Sequence, residues 1–115
     1  MPVSNGHYSQ CIEHNGILYL SGQLPIKNKN IPPTIEEQTI LVLKNVETIL
    51  KEAGSNKNNI LQVRVYISDI ELWDKVNEEY SRFFENHKPV RCIIPTRKLH
   101  FGCLIEIEVT AIAKN

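Results

Sequence analysis

The sequence predicts an α+β domain in two layers: a single mixed sheet covered on one face by two helices, in the order β-β-α-β-α-β-β. Three observations carry this. Two stretches repeat apolar residues at helical spacing on one stripe each, so each helix has one face to bury. Several others alternate apolar and polar residues with period two, most clearly Ile105-Glu106-Ile107-Glu108-Val109. Asn15-Gly16 stands between two short strand-like runs, a strong signal for a hairpin turn. At 115 residues the chain is one domain, 1–115, large enough for a core without staples.

Taken in order, Ser4 to Gln10 are polar, with Gly6 permitting a bend and Tyr8 the one large side chain. Cys11–His14 and Ile17–Ser21 form the hairpin. Lys27–Pro33 is a polar loop closed by two prolines, and Thr34 with Glu37 then makes a capping box. The first helix runs from Ile35 to about Ala53 and stops at Gly54. Its stripe is Ile35, Val42, Val46, Ile49, Leu50 and Ala53, with Lys44, Glu47 and Lys51 toward water. Ser55–Asn59 reads as a polar linker. In the strand Ile60–Ile67, Leu61, Val63, Val65 and Ile67 alternate against Gln62, Arg64 and Tyr66. Ser68-Asp69 caps a second helix, Leu72–Asn86, whose apolar face is Trp73, Val76, Tyr80, Phe83 and Phe84. Asn77 sits beside that stripe as the one polar residue able to look inward. His87-Lys88-Pro89 ends the helix, because a residue before proline avoids the helical region. Two strands follow, Arg91–Ile94 and Leu104–Ala113. Their sheet's second face carries Gln62, Arg64, Tyr66, Glu106 and Glu108, too interrupted for a second core but suited to packing on another subunit.

Charge is balanced, 13 basic against 13 acidic residues, which argues against a nucleic-acid footprint. Cys11, Cys92 and Cys103 form no CxxC and are odd in number, so they read as buried thiols in a reducing compartment. His7, His14, His87 and His100 lack metal-ligand spacing, and no metal is expected. No stretch has membrane length and no signal peptide is visible, so a soluble, cytoplasmic protein is expected.

Chemistry concentrates in Pro89–Glu108. Arg91 follows a proline, and Glu106 and Glu108 share one face of the last strand. An Arg on one strand and a Glu on a neighbouring one could begin a site for a small carboxylate with a nearby base. The same pattern also reads as a surface or interface ion pair, which spacing alone favours.

Further residues bear on the choice. The chain resembles the RidA (YjgF) family of reactive imine deaminases, once described as L-PSP endoribonucleases. The likeness covers Gly6-His7-Tyr8-Ser9-Gln10, Ser21-Gly22-Gln23-Leu24-Pro25, Glu37-Gln38-Thr39, Asn45, Ala53-Gly54 and Val76-Asn77-Glu78-Glu79-Tyr80. It ends on Pro89-x-Arg91 and Leu104-Ile105-Glu106-Ile107-Glu108. It implies a chorismate-mutase-like fold in which three subunits pair sheets into a central barrel, with clefts at the interfaces. It also implies roles. Arg91 holds the substrate carboxylate bidentately. Glu106 and the Ile93 carbonyl place the attacking water, while Tyr8, Ser21, Gly22 and Asn77 line the cleft. Cys92, next to Arg91, falls in the same substrate-binding region and reads as packing, not as a nucleophile. The implied reaction is hydrolysis of 2-aminoacrylate and related enamines, through their 2-imino acids, to 2-oxo acids and ammonia, with no cofactor. The alternative is a trimeric carboxylate-binding or regulatory protein with little turnover. Ribonuclease activity is disfavoured by the neutral charge and the lack of paired histidines.

The chain also departs from the family. Pro95 should break a ladder hydrogen bond. Arg97–Phe101 is more basic and aromatic than usual, with His100 in place of a common proline. Lys27–Pro33 is short and lacks a glycine, so an edge strand is expected to be missing. His7 stands where proline is frequent, and Ile93 where some relatives carry cysteine.

Overall fold

In the computed structural model, which describes residues 6–114, Asn15 and Gly16 both adopt positive φ (51° and 79°) and close the predicted hairpin. They join strands β1 (Cys11–His14) and β2 (Ile17–Leu20). Strands β3 (Ile60–Ile67), β4 (Val90–Pro95) and β5 (Ile105–Ile112) complete one sheet, ordered β1-β2-β5-β3-β4. β3 and β4 are parallel and the other pairs antiparallel, so the sheet is mixed. Helices α1 (Ile35–Glu52) and α2 (Trp73–Phe84) pack against its apolar face. A parallel pair needs a crossover, and α2 supplies it between β3 and β4. Ser4 and Asn5 lie outside the described residues. Among those described, no helix is long and apolar enough to cross a membrane.

Local chemistry sets the helix ends. The Glu37 N–H donates to Thr34 Oγ1 at 3.2 Å, and the Thr34 hydroxyl donates to Glu37 Oε1 at 2.9 Å. At the other end Gly54 takes φ 85°, with Ser55 N–H on the Leu50 carbonyl and Gly54 N–H on that of Lys51. This is a Schellman close. The second helix stops earlier than Pro89 requires. It ends at Phe84 because Glu85 turns left-handed (φ 55°) and donates its N–H to Ser81.

Four other expectations change. The α1 stripe includes Leu43, Thr39 and Gln38, all buried, whereas Ala53 is only half-buried. Leu61 points outward, since a register shift between Ile60 and Gln62 turns Ile60 into the core instead. In the linker segment, Ser55 and Asn59 are buried and act as a polar staple. Asn59 Nδ2 donates to Ser55 Oγ, and the Ser55 hydroxyl donates to the Ile112 carbonyl at 2.7 Å, tying the end of α1 to β5. Pro95, finally, costs no ladder bond. Thr96 N–H donates to the Ile67 carbonyl at 2.7 Å, so the nitrogen one residue earlier points away from β3. β4 is an edge strand, where a proline also blunts pairing with other chains. The loop after β2 forms no strand beyond isolated bridges, and Asn28 and Lys29 make a tight positive-φ turn there.

The sheet face away from the helices is uncovered in the single chain. Ile12, Tyr19, Ile112 and Val90 on it are all exposed, beside the half-buried Arg64, Tyr66 and Glu108. Gln38, although polar, belongs to the core. Its Nε2 donates to the Pro32 carbonyl and its Oε1 accepts from Leu104 N–H, both at 2.8 Å. It thus joins the loop before α1 to the entry of β5. Gln38→Ala should leave both backbone groups unpaired and cost roughly 2 kcal/mol. Urea unfolding would then show a lower midpoint at unchanged slope.

Candidate functional site

Arg91 lies on β4 opposite Val63, which is fully buried beneath the helices, so the arginine side chain emerges on the helix side. There α2 meets it. Trp73, Asn77 and Tyr80 fall at i, i+4 and i+7, one stripe of the helix. Arg91 Nη1 donates to Asn77 Oδ1 at 2.9 Å. Its guanidinium carbon lies 4.7 Å from the Tyr80 ring centre and 5.9 Å from that of Trp73. Three side chains therefore hold one side of the guanidinium, and the residue remains exposed to solvent on the other. Burial pushes the Tyr80 phenol up to about 12 despite the nearby Arg91 charge, so the ring under the cation stays neutral.

The strand also orients its backbone. Because Thr96 N–H points at β3, the N–H and C=O of Ile93 point to the outer edge of the sheet. The Ile93 carbonyl is thus turned away from the ladder. Cys92 is on the opposite face, exposed and cross-strand from Arg64, so it is not the buried thiol expected from composition. Cys103 is buried and Cys11 half-buried; burial pushes both thiols up, holding them protonated.

Glu106 builds a second surface. It alternates with Ile105 and Ile107, both fully buried, so its carboxyl leaves the sheet on the face away from the helices, opposite Tyr66. Gln23 exchanges both backbone hydrogen bonds with Ile107, at 2.7 and 3.0 Å, which draws Ser21 and Gly22 alongside Glu106. At position 22 a Cβ would strike Glu106 Oε2, so glycine there lets the carboxyl keep its place against the backbone. The Ser21 hydroxyl donates to the Ser9 carbonyl at 2.6 Å and Ser21 N–H to that of Gln10, pinning the segment that carries Tyr8. Tyr8, Ser21, Gly22, His100, Phe101 and Glu106 all line one open cavity of about 840 Å³. Burial raises the Glu106 pKa, Glu108 adds to this, and His100 opposes it. Glu108 accepts the Tyr66 hydroxyl at 2.7 Å, which pushes that phenol up to about 12.

The residues singled out in the sequence therefore fall into two groups. Tyr8, Ser21, Gly22 and Glu106 come together, as do Asn77, Arg91 and the Ile93 backbone, while Cys92 joins neither cluster. Arg91 and Glu106 do not share a cleft within one chain. They leave opposite faces of the sheet, and β3 runs between their strands, which are not the neighbours that the sequence reading supposed. Tyr80 belongs to the core, as its helical spacing implies, and supports the arginine as well; Trp73, exposed rather than core, does so too. Their spacing from Asn77 was the available signal. Among the described residues no cluster of three His, Cys, Asp or Glu could hold a metal ion.

The Glu106 environment has a consequence for stability. A carboxyl whose pKa is raised on folding contributes stability below its ordinary value, 4.5, and loses it as pH rises through the folded value. At pH 7 the ionised Glu106 therefore destabilises the fold. Glu106→Gln should melt above wild type at pH 7, with the gap narrowing toward pH 4 in thermal scans across that range.

The endoribonuclease L-PSP family model matches residues 1–113. A RutC family protein of Aquifex aeolicus is 38% identical over 96% of this chain and 92% of its own length. Among solved structures, YyfA of Yersinia pestis, described as a member of the conserved Rid protein family, is 39% identical. It superposes at a TM-score of 0.92 over 96% of this chain and 91% of its own. TdcF of E. coli, solved with bound serine, is 30% identical at a TM-score of 0.92, with the same coverage. With its five-stranded mixed sheet, two covering helices and full-length match, the chain belongs to the L-PSP endoribonuclease family, the group that includes the Rid and RutC proteins.

Proposed function

We propose that the protein hydrolyses reactive 2-imino acids, the tautomers of 2-aminoacrylate and related enamines, to 2-oxo acids and ammonia. The carrying observation is the Arg91 guanidinium, braced on one side by Asn77, Tyr80 and Trp73 with its other side open to solvent. A planar fork held this way suits two parallel hydrogen bonds to a carboxylate. The relative TdcF was solved with serine, an amino acid bearing such a carboxylate, which supports this reading.

Each chain offers two half-sites on opposite faces of its sheet, so we assign the complete cleft to a pair of copies, one supplying Arg91 and the other Glu106. Three copies pairing their exposed sheet faces would make three such clefts and cover Ile12, Tyr19 and Ile112. In this cleft the carboxylate docks on Arg91, and a water sits between Glu106 and the Ile93 carbonyl. Glu106 takes a proton from the water as its oxygen bonds to the imine carbon, and the C=N electron pair moves to nitrogen. Return of that proton to nitrogen completes the carbinolamine; Glu106 then takes the proton of the new hydroxyl and passes it to the amine, so the C–N bond breaks, ammonia leaves and C=O forms. A carboxyl whose pKa is raised takes up and returns that proton more readily than an ordinary one. Orientation supplies much of the acceleration, because the free imine already hydrolyses readily. The cytoplasm is the compartment we assign, since three free thiols suit a reducing one.

A second reading rests on the Arg97–Phe101 departure: a trimer that binds a carboxylate metabolite with little turnover. The balanced charge, 13 against 13, gives little support to the ribonuclease in the family's description. Imines generated in situ by a serine/threonine dehydratase separate the first two. Wild type should release 2-oxo acid faster than the uncatalysed rate, and Arg91→Ala should lose about 100-fold in kcat/KM, as for two charge-assisted hydrogen bonds. No acceleration by folded, oligomeric wild type leaves the binding protein. Acceleration that survives Arg91→Ala keeps the enzyme and discards arginine as the carboxylate anchor.

A further inference from the structure

The segment between β4 and β5 carries a feature that the reaction above does not use. Phe101 adopts φ 58° and ψ 21°, a left-handed conformation uncommon for an aromatic residue, and its side chain is 66% exposed. A large apolar side chain held in a disfavoured backbone state and left in water signals a functional role more than a packing one. The His100 ring stacks edge-on against it, with centroids 3.9 Å apart, which fixes the direction of the phenyl face. Both rings line the same cavity as Glu106, and Tyr8, itself half-exposed, lines it too. Leu24 and Ile26 add apolar wall. At about 840 Å³ the cavity lies within the range that holds drug-sized ligands, roughly 300–1,000 Å³. A three-carbon imino acid is small against the cavity that the single chain forms.

We propose that Phe101, braced by His100 in the cavity that Tyr8 also lines, is a selectivity wall that favours 2-imino acids with a large apolar or aromatic side chain over the three-carbon imine. This rests on the deaminase reading for its reaction, but the wall itself is a matter of binding. The substrate side chain would cover the exposed phenyl ring, removing apolar surface from water that the small imine leaves wet.

The test generates imines with a D-amino acid oxidase from D-phenylalanine or D-alanine, since the 2-imino acid products are achiral. Hydrolysis is followed by loss of semicarbazide trapping. Wild type should favour the phenylalanine-derived imine, and Phe101→Gly should cut the ratio of the two kcat/KM values about tenfold. Glycine accepts the positive φ, and a melting scan checks that the variant is folded. Wild type turning over the small imine without preferring the aromatic one, or a ratio unmoved by the variant, overturns the wall and leaves the deaminase standing. If neither imine is hydrolysed, the deaminase reading falls, and calorimetry with phenylpyruvate and pyruvate decides the wall. Tighter phenylpyruvate binding that Phe101→Gly abolishes supports it, and equal binding by wild type overturns it.

Discussion

The alternation of side chains along a strand governs this molecule more than any single contact. Val63, Val65 and Ile67 on β3 and Ile105, Ile107 and Val109 on β5 must all face the helices, since together they form most of the sheet's contribution to the core. With those positions fixed, Glu106, Glu108 and Tyr66 have to leave on the other face, and Arg91, paired with Val63, has to rise on the helix side. The two chemically promising residues are separated by the same constraint that makes the core. A one-residue slip in either strand would reunite them only by turning the core outward.

Each half-site is then built with the means its face provides. On the helix side, α2 offers a stripe of Trp73, Asn77 and Tyr80, so the guanidinium receives two aromatic faces and one amide oxygen. On the open face there is no helix, and backbone approach does the work instead. Gln23 docks on Ile107, and glycine at 22 lets the chain pass against the Glu106 carboxyl. The carboxyl is partly desolvated by that approach and stands beside another acid, which is why its proton affinity rises. Stability is given up at the position where chemistry would profit.

Buried polar groups hold these surfaces in register. Gln38 links the approach to α1 with the entry of β5, and the Ser55–Asn59 pair links the end of α1 with its exit. Both ends of β5 are therefore tied to one helix, and Glu106 lies on the strand between. Hydrogen bonds with fixed geometry specify position where apolar packing alone would tolerate sliding.

By itself the sequence determined the elements, because they rest on local chemistry. The Asn15-Gly16 turn, the Thr34 cap, the Gly54 close and both amphipathic stripes follow from what neighbouring residues can do within one turn of chain. The likeness in Ser21-Gly22, Asn77, Arg91 and Glu106 marked candidate site residues. Sequence could not decide strand order, since which strand lies beside which depends on contacts far apart in the chain, and β3 came to lie between the strands of Arg91 and Glu106. Nor could it show that Leu61 would be displaced by a bulge, or that Pro95's nitrogen would face an outer edge, since both follow from hydrogen-bond phase against a partner strand. For the same reason Trp73 reads as core, and Tyr80, which is core, shows nothing of its second contact with the arginine. Whether an aromatic on a helix stripe meets aliphatic side chains or a guanidinium is settled only when the opposite strand arrives.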